Sequence, residues 1–90
     1  MTIQSWRNAE AEAIFAGRRV RGVSDEVAKI ARRRLRILDA ATSLADLGAL
    51  KGNRLHRVGD LWSISVNMQY RLTFAWSEKG PEQVWFGDYH

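Results

Sequence analysis

Ninety residues with a formal net charge of +4 and no cysteine bound this chain before any motif is considered. The length suits one domain over residues 1–90, and the missing cysteines exclude disulfides, zinc–thiolate sites and thiol nucleophiles. No run of about 18 apolar residues is present, so no membrane span is expected.

Residues 2–6, "TIQSW", read as a short strand. Residues 1–12, "MTIQSWRNAEAE", lack the basic and apolar regions of a secretory leader, and a cytoplasmic protein is expected. "RNAEAEAIFAG" reads as a first helix stopped at Gly17, because Ala and Glu favour helix and glycine tolerates the C-terminal turn. A second helix follows Ser24. Its hydroxyl suits an N-cap, and Asp25 and Glu26 suit the positive end of the dipole.

Along that helix Val27, Ile30, Ala31, Leu35 and Leu38 recur at three- and four-residue steps and form one apolar stripe. Lys29, Arg33 and Arg36 occupy another face. Residues 18–36 hold eight of the fourteen basic residues, counted along the sequence. A cationic face of this kind suits a polyanion partner. Thr42 or Ser43 can cap a short turn through "SLADL".

The remainder reads as a β-meander. Gly59-Asp60 makes a two-residue loop of type II′ between "RLHRV" and "LWSISV". Residues 67–69 connect to "YRLTFAW", "SEKGPE" turns again, and "QVWFGDY" is the last strand. Helices first and antiparallel strands afterwards predict an α+β class: two N-terminal helices packed on an antiparallel meander.

Side chains in strands sort by parity. A three-residue loop at 67–69 pairs Ile64 with Leu72 and Ser65 with Arg71. The Gly59-Asp60 loop pairs Val58 with Leu61 and His56 with Ser63. Leu55, Ile64, Leu72 and Phe74 then face the core, and His56, Ser63, Ser65, Arg71 and Thr73 face away from it. Val84 and Phe86 suit the core side, which takes Asp88 with them and places Tyr89 opposite, with Trp85. Gly87 is the candidate for a bulge.

"TSLADL", "GNRLHRV", "WSISVNMQYRLTF" and the terminal "DYH" resemble, in order, the HigB or plasmid-maintenance-killer branch of the RelE-like toxins. The resemblance covers about residues 24–90. It implies a RelE-like toxin fold and the toxin half of a type II toxin–antitoxin pair. It further implies a ribosome-dependent endoribonuclease that cuts mRNA in the A site without a metal or other cofactor. The implied partners are a cognate helix-turn-helix antitoxin, mRNA and ribosomal RNA, with operator DNA reached only through the antitoxin.

Carried over residue by residue, His56, Arg71, Asp88, Tyr89 and His90 match positions the family uses at or near its active site. A metal-free cut needs a base for the ribose 2′-OH, a cation for the phosphorane and an acid for the leaving oxygen. His90 suits a proton-transfer role and His56 a second one. Tyr89 suits a donor or a stacking platform, Asp88 an orienting group, and Arg71 the charge stabiliser. Lys51, Arg54 and Arg57 suit mRNA phosphates; Lys29, Arg32, Arg33 and Arg36 suit ribosomal RNA.

The chain departs from the family where relatives carry arginine, at Ser65 or Asn67, and at Trp85, where an acidic residue is common. Those departures support a second reading: a weakened homologue that binds its antitoxin and acts as a co-repressor. A stand-alone RNA-binding domain is a third.

Overall fold

The computed structural model describes residues 2–49, 52 and 54–88. Three helices precede four strands: α1 (Ala9–Phe15), α2 (Asp25–Ala40), α3 (Leu44–Gly48), β1 (His56–Val58), β2 (Leu61–Ser65), β3 (Tyr70–Ser77) and β4 (Gly80–Asp88). The strands form one antiparallel sheet in sequence order. This is the expected α+β class, helices first and an antiparallel meander after them. No described helix is long and apolar enough to cross a membrane.

The helices start where the sequence supplies caps. Ser24 accepts the Val27 N–H at 3.2 Å and begins α2. Ser43 accepts the Asp46 N–H at 3.3 Å and begins α3. Asp46 reaches back in turn, its Oδ2 accepting the Thr42 N–H (3.1 Å) and hydroxyl (2.7 Å). This is a variant of the reciprocal capping box.

The Thr42 hydroxyl is the chief cause holding the Asp46 carboxyl below its ordinary titration range. A carboxylate depressed on folding stabilises the fold above its unfolded pKa, and that contribution fades as pH falls through the folded value. Replacing Thr42 with valine is expected to move the Asp46 titration upward, as read by carboxyl-carbon NMR. An unmoved titration would contradict this cap.

One face of the sheet, the inner face, packs on the helices. Ile64, Leu72, Phe74, Val84 and Phe86 meet Ala11, Ile14, Ala31, Leu35, Leu38 and Leu47, all buried. The stripe expected along α2 is the one that lands there. Tyr70 stacks on Phe86, with ring centroids 5.1 Å apart.

The N-terminal segment is more than an isolated strand. Trp6 bridges Val84 in parallel, and the backbone bonds Arg7 N–H to Val84 O, Val84 N–H to Ser5 O and Gln4 N–H to Pro81 O run along the outer edge of β4. Asn8 continues that pairing with its side chain. Its amide donates to Phe86 O at 2.7 Å, and its Oδ1 accepts from Phe86 N at 3.2 Å and from Ala11 N at 3.2 Å. One side chain thus caps α1 and extends the ladder of β4, covering an edge that would otherwise stay open.

The bulge falls at Gln83, not at Gly87. The β3–β4 register shifts between Thr73 and Ala75, and Gln83 takes φ 52°. A left-handed bulge residue of this kind lets the strand bend. The Gln83 N–H donates to the Ser5 hydroxyl at 2.8 Å, which anchors the strained residue.

Candidate active site

The face of the sheet turned away from the helices carries the polar set. Register fixes its rows. His56 pairs with Ser63, Ser63 with Thr73, and Thr73 with Trp85. In the next row Ser65 pairs with Arg71 and Arg71 with Gly87. The Ser65–Arg71 and His56–Ser63 pairings are those expected from loop length. They follow because Gly59, at φ 61°, supplies the one left-handed residue its loop requires.

Alternation read this face as open to water, but its middle is not. Ser63 is 0% exposed, Thr73 4% and Ser65 9%. A sequence pattern records the polarity of a side chain, not the bulk of its neighbours.

Arg71 stands at the centre of this face, half-buried. Its Nη1 is buried and finds no hydrogen-bond partner among the described residues, and the same is true of the Ser63 hydroxyl. An unpaired buried donor is costly in a finished core. At a cationic group on an outer sheet face it marks a donor held ready for an oxyanion.

His56 is exposed, with Nδ1 3.0 Å from the Arg54 carbonyl. A carbonyl can only accept, so Nδ1 carries the proton and the neutral ring keeps Nε2 as its free acceptor. From strand spacing, the His56 backbone lies roughly 12 Å from that of Arg71, two strands across and one row along. A phosphodiester can lie between two side chains of that reach.

Asp88 sits on the other side of the sheet. It pairs with Tyr70, and Gln69 Nε2 donates to its Oδ2 at 3.0 Å. That placement matches its parity and ties the end of β4 to the β2–β3 turn. Tyr89 and His90 lie outside the described residues, as does Lys51.

The basic set divides. Arg57 is on the inner side of the sheet, its guanidinium 5.2 Å from the Trp62 ring centroid and donating to Gly59 O at 3.4 Å. Its odd number already placed it opposite His56. Arg54 is exposed, at φ 48°. Lys29, Arg33 and Arg36 are exposed together on α2, whereas Arg32 is half-buried. The Arg32 guanidinium lies against Gly17, where a Cβ would come within 3.3 Å of it. Arg34 reaches the Gly52 carbonyl at 3.3 Å and ties α2 to the segment after α3.

At Ser65 and Asn67, where the family resemblance implies an arginine, this chain builds a turn. The Ser65 hydroxyl donates to Asn67 O at 3.1 Å, and Asn67 Oδ1 accepts from Gln69 N (2.8 Å) and Tyr70 N (2.7 Å). The asparagine organises the loop as an Asx turn. Sequence reasoning did not find this, nor the relation of Trp85 to Gly87. A Cβ at Gly87 would overlap Trp85 Cζ2, so the indole leans over the glycine. A glycine two residues after a tryptophan in one strand was the available signal.

Comparison with known proteins gives this geometry a family. A family model described as the RelE-like toxin of the type II toxin–antitoxin system HigB matches residues 5–90. Among curated proteins, toxin HigB-1 of Vibrio cholerae serotype O1 is 54% identical over 48 residues, which cover 49% of this chain and 50% of that protein. The matched stretch thus spans about half the length of the relative.

Proposed function

This chain belongs to the HigB branch of the RelE-like toxins of type II toxin–antitoxin systems, and from that premise we propose that it is a ribosome-dependent mRNA endoribonuclease. The reaction is attack of a ribose 2′-oxygen on the adjacent phosphate. The new O–P bond closes a 2′,3′-cyclic phosphate, and the bond to the 5′-oxygen breaks. A base takes the 2′-hydroxyl proton, and an acid returns one to the leaving oxygen. Neither step calls for a metal or another cofactor.

The observation that carries this reading is the buried, unpartnered Nη1 of Arg71 on the outer face. A guanidinium nitrogen left without a partner by the described protein has its donors free for the phosphorane, where charge grows in the transition state. His90 and His56 serve as the proton-transfer pair. His56 suits the base role through its free Nε2. Tyr89 serves as a hydrogen-bond donor or stacking group. Asp88, tied to Gln69, positions the end of the strand that leads to Tyr89 and His90.

Lys51 and Arg54 approach the mRNA from the segment before β1, whereas Arg57, held on the inner side of β1 by Trp62 and the Gly59 carbonyl, is left out of that contact. The exposed α2 face of Lys29, Arg33 and Arg36, flanked by Arg32, contacts ribosomal RNA. The protein partner is a cognate helix-turn-helix antitoxin, through which the pair reaches operator DNA. A ribosomal target places the protein in the cytoplasm.

One observation favours the second reading, a weakened toxin that serves as an antitoxin-binding co-repressor. The side chains of Ser65 and Asn67 are committed to the β2–β3 turn and supply no cation to the site. Inducible expression of the parent protein and of His90→Ala, with mapping of mRNA 5′ ends, separates the two. The enzyme reading expects growth arrest and codon-phased ends that vanish in the variant. Soluble parent protein with neither arrest nor new ends supports the co-repressor.

A further inference from the structure

We propose that Trp85 and the cavity beside it form a binding site for one base of the single-stranded message. This site rests on the RNA-cleaving reading above. It differs in kind from the site for charge: it would hold a flat ring, not a phosphate.

Three observations combine. First, the absent Cβ of Gly87 lets the Trp85 indole lie down along β4 toward the Arg71 row. A partly exposed indole held flat on a sheet is a stacking platform with little rotamer freedom left to lose. Second, a cavity adjoins the Trp85 row. It measures about 240 Å³ and is lined by Arg7, Val58, Leu61, Thr73 and Trp85. Val58 and Leu61 give it apolar flanks. Arg7 and the almost wholly buried Thr73 are its polar lining residues, of the kind that meet exocyclic oxygens and ring nitrogens. The volume equals that of about eight liquid waters, which admits one ring system and not a stacked pair.

Third, the placement relative to Arg71 suits a single nucleotide. Trp85 and Gly87 are successive outward residues of β4, so their rows lie about 6.7 Å apart. Arg71 is the direct partner of Gly87. A phosphate on Arg71 and a base on Trp85 therefore fall within the span of one nucleotide. The cavity is small, shallow and mostly apolar, which argues against an acidic peptide, whose carboxylates would find only Arg7 there. The backbone of Arg7 is fixed by its N–H to Val84 O bond at 2.8 Å, so the N-terminal segment contributes one wall of the site.

The test is binding of a 2′-O-methyl oligoribonucleotide, which cannot be cleaved, to the full chain by calorimetry. Abasic residues are scanned through the oligonucleotide. Stacking of this kind is worth about 1–3 kcal/mol per base, so Trp85→Ala is expected to weaken binding about 5- to 150-fold. Trp85→Phe keeps an aromatic platform and is expected to stay within about 5-fold of the parent. One abasic position should weaken the parent and leave Trp85→Ala unchanged, a coupling that mere unfolding would not produce.

Equal affinity of Trp85→Ala and parent overturns the site, as does an abasic scan identical in the two proteins or a parent that binds no oligonucleotide. The outcomes also separate this site from the enzyme reading. Cleavage that needs Arg71 but ignores Trp85 defeats the base site alone. Trp85-coupled binding without cleavage defeats the enzyme alone.

Discussion

Replacing Arg71 with alanine is expected to slow cleavage of ribosome-bound mRNA by about 10²–10³-fold, the loss typical of one preorganised donor to a developing oxyanion. The melting temperature should move little, within about 5 °C of the parent. The asymmetry follows from the geometry. Arg71 Nη1 makes no hydrogen bond to the described protein, so truncation removes no internal bond at that nitrogen. It relieves the cost of a buried donor left unpaired. A side chain kept despite such a cost is retained for what it meets in the complex.

Arg71→Lys sharpens the test. Lysine keeps the charge and loses the planar fork, and a bidentate phosphate contact does not survive that change intact. The lysine variant should lie between parent and alanine under single-turnover conditions. If Arg71→Ala melted far below the parent while the small soluble fraction kept full activity, the arginine would be structural and the site assignment wrong.

A large stability effect outside the apolar core is expected at Asn8. Its side chain caps α1 and exchanges two hydrogen bonds with Phe86 in β4. Loss of a cap costs about 1 kcal/mol, and two partly buried hydrogen bonds cost about 1 kcal/mol each. Asn8→Ala is therefore expected to destabilise the protein by about 2–3 kcal/mol. For a chain of this size that is roughly 10–15 °C in melting temperature.

Asn8→Asp separates the contributions. An aspartate still accepts from Ala11 N and Phe86 N but cannot donate to Phe86 O. It should recover part of the loss, as measured by urea titration with an unchanged slope. An alanine variant as stable as the parent would contradict the strand-extending role. The effect carries functional weight, because Phe86 lies two residues before the end of β4, and the chain runs from there to Tyr89 and His90.

Much of this molecule is legible in its sequence because its constraints are local. Gly59-Asp60 admits few loop geometries and thereby fixes Val58 against Leu61 and His56 against Ser63. The 67–69 loop fixes Ser65 against Arg71 by parity. Ser24 and Ser43 announce the starts of α2 and α3. From these short-range facts, His56 and Arg71 fall on one face of the sheet before any coordinates are consulted.

What stays hidden is long-range or volumetric. The pairing of residues 4–8 with β4 joins positions 78 apart at Asn8 and Phe86, and nothing in either segment names the other. The bulge falls on Gln83 because its N–H meets Ser5, a contact invisible from within β4. The glycine that seemed to invite that bulge, Gly87, serves to receive the Trp85 indole. Ser63 and Thr73 look like wet residues by alternation and are buried by the bulk around them. Arg32 looks like a member of the cationic α2 face and is half-covered by the loop at Gly17. In each case the deciding partner lies elsewhere in the chain.

The central claim is that the Arg71 face cuts RNA by 2′-oxygen attack on the ribosome. It is tested most directly with purified ribosomes programmed with two messages. One is all-ribose. The other carries a single 2′-deoxy nucleotide 5′ to the scissile phosphate, and both are treated with the parent protein and with Arg71→Ala. The account predicts that the parent cuts the all-ribose message in the A site, leaves the deoxy-substituted bond intact, and loses the cut with Arg71→Ala. Cleavage of the deoxy-substituted bond at an equal rate, or no cleavage of either message by folded parent protein, would contradict it.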